Sequence, residues 1–324
     1  MSLSHLNYIN YQLPYTKIHD KLLNKTQINI FIDLNSIAKG FYNRTIILEE
    51  LNYYIDNKRI SNKFIIELKN YLGKLYNNFK IYNPKFILFY DTGISQNSSI
   101  DPSYKANRIN SSKSYIQTDD EKEIYYLIKD YYFDRIYKNF QIRNTSSVIY
   151  LDNFETDLIP YYVIKNNFIN SQDNQTLNLI LSVDKDLLQC CSLNNTYQAV
   201  CLYSNIEKQF KLELYDNNNA ISYITKSNSS LTSDFIPVLL SLSGDKVDNI
   251  AGISGIGPIR AEKLIKSSNM DNTIYETTKL PLDIISFKSK LIKNFKLISF
   301  EEQISRLPSH VLSRIEIDLK ILGI

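Results

Sequence analysis

Four short apolar runs, each closing on an acid, set the rhythm of the first two thirds of the chain. INIFIDL (28–34) carries Asp33 near its end, and KFILFYD (85–91) ends on Asp91. SSVIYLD (146–152) and LNLILSVD (177–184) end on Asp152 and Asp184 in the same way. Short β-branched runs bounded by polar residues read as buried strands. Between them apolar residues recur at helical spacing, at Phe64, Ile65, Leu68, Leu72, Leu75 and Tyr76, and at Ile124, Leu127, Ile128, Tyr131 and Tyr132. Alternating β and α units predict an α/β fold, a mostly parallel twisted sheet flanked by helices. After about Ser233 the strand signal fades and helical patterning takes over. The expected organisation is a lead-in (1–26), a sheet-bearing core (27–232) and a C-terminal helical region (233–324). Within the core, the polar segment 92–118 is too long for an ordinary loop, and such loops are usually functional.

Composition narrows this modestly. Of 324 residues, 44% are hydrophobic and 22% charged, the balance of a globular protein with ample core. No apolar run approaches the ~20 residues that span a bilayer. The N-terminus lacks a charged stretch followed by an apolar one, which argues against secretion and for the cytoplasm. Cys190, Cys191 and Cys201 have no CxxC spacing and read as reduced, buried thiols. A net charge of +3 cannot argue for nucleic-acid binding without local clustering. The abundance of Asn, Ile, Lys and Tyr reads as the product of AT-rich codons, with runs such as 217–219 as loops.

The acids carry more information. In an open parallel sheet ligands bind at the carboxyl ends of the strands, where Asp33, Asp91, Asp152 and Asp184 fall. NFETDLI adds Glu155 and Asp157 at a helix start, and SVDKDLLQ adds Asp186 beyond Asp184. The plainer reading of each pair is a helix N-cap. SGDKVDNIAGISGIG contributes Asp245 and Asp248, together with half of the chain's eight glycines. So many carboxylates share a cleft only if cations neutralise them. Oxygen ligands without clustered histidines point to Mg²⁺ or Mn²⁺. His5, His19 and His310 are scattered and receive no catalytic role. Two divalent ions about 4 Å apart are a common device for in-line attack on a phosphodiester.

Seven motifs run in order within a stretch from about Gln27 to Ser309: FIDLNSI, FYDTG, YKANR, NFETDLI, LSVDKDLLQ, SLSGDKVDNI and GISGIGPIRAEKLI. In that order the chain resembles the structure-specific 5′-nucleases: flap endonucleases, the 5′–3′ exonuclease domain of bacterial DNA polymerase I, and phage exonuclease/ribonuclease H proteins. FIDLNSIAKGF and the simple lead-in are most similar to the phage branch. The resemblance implies a PIN-like (resolvase-like) core, a helical arch over 92–118 and a C-terminal helix–three-turn–helix region. KNFKLISF (293–300) is similar to the segment that returns to the core.

The resemblance also implies the site. Asp33, Asp91, Glu155, Asp157, Asp184, Asp186, Asp245 and Asp248 fall on metal-site positions. Asp91, Glu155, Asp157 and Asp184 would serve the first Mg²⁺, and Asp186, Asp245 and Asp248 the second, with Mn²⁺ as a substitute. Asp33 joins Lys105 and Arg108 as the catalytic set. Lys105 would stabilise charge on the scissile phosphate, Arg108 would grip the backbone, and Tyr104 would stack on a base. Gly252, Gly255 and Gly257 would free backbone N–H groups at a helix opened by Pro258 to hold a phosphate, assisted by Arg260 and Lys263. K⁺ among the hairpin carbonyls is a further implication. The implied activity is Mg²⁺-dependent 5′–3′ exonuclease or flap endonuclease cleavage of branched, flapped or 5′-ended DNA, or of RNA–DNA hybrids in primer removal. The chain would act as a monomer in a bacterial or phage-infected cytoplasm, with a single-strand-binding protein or clamp as partner and an organelle or nucleus left open. A non-catalytic junction-binding paralogue and a PIN-type ribonuclease are the alternatives; the latter gives no reason for GDKVDN followed by GISGIG. Three positions depart from the family pattern. Leu158 replaces a second consecutive acid, Lys39 replaces an aromatic residue, and SQNSSIDPS stands where an arginine-rich lead precedes YKANR.

Overall fold

A computed structural model describes residues 15–34, 63–91, 96–106, 135, 146–151, 154–170, 172–204, 209–272 and 282–320. The predicted helix at 124–132, Lys39, Arg108 and Asp152 lie outside these residues. All four expected strands form: β1 (Gln27–Asp33), β2 (Lys85–Asp91), β3 (Ser146–Leu151) and β4 (Thr176–Leu181). Two more, β5 (Thr196–Ser204) and β6 (Gln209–Tyr215), extend the sheet to six strands in the order β3-β2-β1-β4-β5-β6. The first five are parallel and β6 returns antiparallel along the edge of β5.

Period-two alternation explains why both faces are buried. Ile28, Ile30 and Ile32 of β1 point to one side with Phe86, Leu88 and Tyr90 of β2. Helices α1 (Tyr15–Leu22) and α2 (Lys63–Phe79) supply Ile18, Leu22, Leu72, Leu75 and Phe79 to that face. Phe31, Ile87, Phe89, Ile149 and Ile180 point the other way. They meet Leu158, Ile159 and Val163 of α3 (Leu158–Lys165). Strands buried on both faces read as continuous apolar runs, as these do.

Beyond β6 the described residues are mostly helical, with one short ribbon. After α4 (Ala220–Thr225) and α5 (Ile236–Ser243), β7 (Gly244–Asp245) and β8 (Ile250–Ala251) pair antiparallel. The hairpin then enters α6 (Pro258–Ser267), with Pro258 in its first turn. Beyond α7 (Leu282–Ile285), α8 (Lys288–Ile298) packs on α5. Helices α9 (Phe300–Ile304) and α10 (Ser309–Lys320) then return to the core. Phe300, Val311, Ile315 and Leu319 join the cluster around Phe31 and Phe89. No described helix is long and apolar enough to cross a membrane.

Candidate metal centre

Strand order reverses at β1, which pairs with β2 on one side and β4 on the other. The crevice at the carboxyl ends there is the place where an open α/β sheet binds ligands. Asp33 closes β1 and is only 3% exposed. Ser182, just past β4, donates its hydroxyl to Asp33 Oδ2 at 2.7 Å. The same Ser182 oxygen accepts the Asp184 N–H at 3.0 Å, and Asp184 Oδ1 accepts the Asp186 N–H at 3.0 Å. A chain of short-range hydrogen bonds thus fans three acids out from two adjacent strands. Gln198 of β5 lies fully buried beneath them and donates its amide to the carbonyls of Ser182 (3.2 Å) and Asp184 (2.6 Å).

Glu155 and Asp157 precede α3, and both are released from the capping role that their position allowed. Asp157 occupies the N-cap yet makes no side-chain cap hydrogen bond. From the opposite side the β7–β8 ribbon brings Asp245 and Asp248, which are 3% and 5% exposed. Carboxylate oxygens of Asp186, Asp245 and Asp248 lie within 4.8 Å of one another.

The electrostatics tie these acids into two overlapping groups. Loss of water pushes the Asp157 carboxyl well above the usual carboxylate range, with Asp184, Asp33 and Glu155 adding repulsion. Asp186 is pushed well up too, by burial first and then by Asp184, Asp248 and Asp245. Asp184 stands between the groups. Burial raises it, the Asp186 N–H opposes that, and Asp248 and Asp33 raise it further. Asp91 ends β2, the strand beside β1.

Two lysines supply positive charge. Lys105 Nζ lies 2.7 and 2.6 Å from the two oxygens of Glu155 and 3.8 Å from Asp248 Oδ2. Lys185 Nζ lies 2.6 Å from Asp245 Oδ1. Burial would lower the Lys185 pKa, but the Asp245 hydrogen bond and the charges of Asp186 and Asp184 more than reverse that. Lys185 was visible in SVDKDLLQ as a cation between two site acids, yet its partner was not. Lys105 adopts φ 56°, an uncommon conformation for a lysine. Two contacts to the ribbon clasp that turn: Lys105 N–H donates to the Asp248 carbonyl at 2.9 Å, and Asn249 Nδ2 donates to the Ser103 carbonyl at 2.7 Å.

Tyr104 corrects the sequence expectation. It does not present a face for a base but is 6% exposed, part of the buried cluster that includes Leu239, Ile250 and Ile253. Its hydroxyl lies 3.2 Å from both Glu155 Oε1 and Asp248 Oδ2, so its polar tip serves the acids while its ring fills the core. Burial, followed by the charges of Glu155 and Asp248, raises its pKa well above the usual phenol value.

The hairpin glycines divide into two kinds. A Cβ on Gly244, which has φ +78°, would lie 2.3 Å from the Gly252 nitrogen, and one on Gly252 would lie 2.3 Å from the Ser243 carbonyl carbon. Those two are required by backbone packed against backbone. Gly255 has φ +76°, a conformation that favours glycine. Gly257 has an extended backbone (φ −87°) and open space where a side chain would stand. Arg260 reaches back to the Gly255 carbonyl at 3.4 Å, and Lys263 is exposed one turn along α6.

Divalent cations fit this donor set. Among the described residues Asp186 Oδ1 is buried with no hydrogen-bond partner, and its neighbours are further carboxylates. An orphaned carboxylate oxygen among acids is a costly arrangement that a hard cation satisfies.

No protein-family model matches the chain. Over 143 residues it is 34% identical to DNA polymerase I of Borreliella burgdorferi, a match spanning 40% of this chain and 14% of that polymerase. A bacteriophage T5 flap endonuclease, in a pseudo-enzyme-product complex with DNA and metal ions, superposes with a TM-score of 0.63 at 17% identity. That match covers 92% of this chain and 100% of the other. The T5 5′-exonuclease with bound zinc gives 0.61 at 16% identity over the same shares. In fold, the chain is similar to these two T5 proteins over nearly its whole length.

Proposed function

We propose that this chain is a divalent-metal-dependent 5′-nuclease that hydrolyses phosphodiester bonds of branched, flapped or 5′-ended DNA. The observation that carries this reading is the convergence of seven acids on one crevice, with a buried Asp186 oxygen that no group among the described residues satisfies. The seven are Asp33, Glu155, Asp157, Asp184, Asp186, Asp245 and Asp248. The T5 relative in its complex with DNA and metal ions supports the same reading.

Asp91, Glu155, Asp157 and Asp184 would hold one ion, directly or through water, and Asp186, Asp245 and Asp248 the other. When bound, two Mg²⁺ ions neutralise the carboxylates and lower the pKa of an attacking water; Mn²⁺ has matching ligand preferences. The chain's own groups do the rest. Ser182 and Gln198 fix the β4 acids. Lys105 sets a positive charge at the edge of the carboxylates, where a phosphate oxygen requires one. Lys185 holds Asp245 in place. Arg108 would add a grip on the backbone from the segment beyond Lys105. The α6 N-terminus and the open space at Gly257 receive a duplex phosphate without reading its base, with Arg260 and Lys263 alongside.

The test is a labelled 5′-flap duplex, incubated with and without Mg²⁺, beside an RNA–DNA hybrid of the same sequence. Cutting near the 5′ end that depends on the ion is expected. Asp184→Asn is expected to lower cleavage by at least about a hundredfold while leaving flap affinity within about threefold. Tight binding by the wild type with no cutting in any divalent ion would establish a junction binder instead.

A further inference from the structure

The hairpin that follows the acids has its own charge arrangement. Four of its carbonyls, those of Ala251, Gly252, Ile253 and Gly255, accept hydrogen bonds from the chain. Asn294, in the middle of α8 and 1% exposed, donates its amide to Ala251 O and to Ser241 O, both at 3.0 Å. The Ile253 carbonyl accepts the Ile256 N–H at 3.0 Å, and the Gly255 carbonyl accepts from Arg260. The Gly252 carbonyl accepts from an ammonium: Lys290 Nζ lies 2.7 Å away, reaching from the first turn of α8. Gly252 itself is packed against the Ser243 backbone with no room for a Cβ.

A free monovalent ion on these oxygens would stand beside the Lys290 charge in a partly buried place. Like charges at such separations repel strongly when water is largely excluded. An ammonium and K⁺ are also close in size, and a carbonyl oxygen accepts either. We propose that Lys290 is the hairpin's built-in cation. Its tethered ammonium stands where the family resemblance implied K⁺, so the hairpin keeps its shape and its hold on a duplex without that ion. The duplex part of this inference rests on the nucleic-acid role proposed above, whereas the part about hairpin shape does not.

Two readouts separate those parts. The first is fluorescence anisotropy of a labelled nicked duplex with the full chain, without divalent ions, in KCl or in tetramethylammonium chloride at equal ionic strength. The second is thermal melting in the same salts. Tetramethylammonium is too bulky to seat among carbonyls. Wild-type affinity is expected to agree between salts within about twofold, and its melting temperature to be the same. Lys290→Met keeps the aliphatic stem and removes the charge. It should weaken binding about tenfold in tetramethylammonium, the scale of one charged hydrogen bond, with K⁺ recovering most of the loss and raising its melting temperature. Lys290→Arg, which retains a cation, should remain insensitive to the choice of salt. A wild type that binds or melts better in K⁺ overturns the proposal. So does a Lys290→Met protein whose binding and melting are the same in both salts. Failure of the wild type to bind duplex in either salt strikes the nucleic-acid role alone, and the melting comparison still decides the role of Lys290.

Discussion

Gly244 and Gly257 stand in one glycine-rich stretch for opposite reasons, and substitution separates them. Gly244→Ala drives a Cβ against the Gly252 backbone at a positive φ. It is expected to cost about 2–4 kcal/mol of stability, measured by the denaturant midpoint. Gly257→Ala meets open space in an extended conformation and is expected to leave that midpoint unchanged while weakening duplex affinity severalfold. Equal losses of stability at both positions would show that the chain, not a partner, requires Gly257. The glycine enrichment was legible in the sequence, but its division was not, because the clash at Gly244 involves backbone that the pairing of β7 with β8 brings close. Tyr104 teaches the same point. An aromatic residue beside a lysine in a polar segment looks like a stacking surface, yet its neighbours in space are apolar residues from the C-terminal region.

At the scale of elements, the apolar runs specified β1 to β4 because buried parallel strands have no polar face to interrupt them. The edge strand β6 and its neighbour β5 carry more polar residues and gave a weaker signal, although Phe210, Leu212 and Leu214 alternate with Lys211 and Glu213. Register within the sheet has a polar device. Asn29 donates to Asn178 Oδ1 at 2.9 Å directly across β1 and β4, and both are fully buried. A one-residue slip would strand both amides and turn each strand's apolar set around. Asn178→Ala is expected to cost about 2 kcal/mol in urea unfolding, since Asn29 loses the nearer of its two acceptors and Thr196 a neighbour, with metal-dependent cutting unchanged. A loss of cutting without a loss of stability would mean that this end of the sheet communicates with the site.

For the whole molecule, the acids are a stability term as well as a site. Burial and mutual repulsion hold Asp157, Asp184 and Asp186 above the ordinary carboxylate range. For a carboxyl whose folded pKa is raised, the unfolded chain releases its proton first. Stability of the ion-free protein therefore declines as pH rises from about 4, until the folded groups have ionised. On the metal role proposed above, divalent ions would bind only the assembled, ionised set and offset this, by about 2.7 kcal/mol at a hundredfold excess over Kd. Melting with and without Mg²⁺ should show a larger gain near pH 8 than near pH 5. An equal gain at both values would argue that the ion binds elsewhere.

The sequence by itself determined the α/β class, four of the strands, the acids and the order of motifs, because strand burial and motif spacing are local properties. Tertiary structure decided which acids meet, since the reversal of strand order at β1 and the β7–β8 ribbon bring residues from 33 to 248 into one crevice. It also decided the partners of Lys105, Lys185 and Lys290. A lysine's role depends on which carboxylate or carbonyl the fold sets within reach of its flexible stem, and no spacing along the chain encodes that distance.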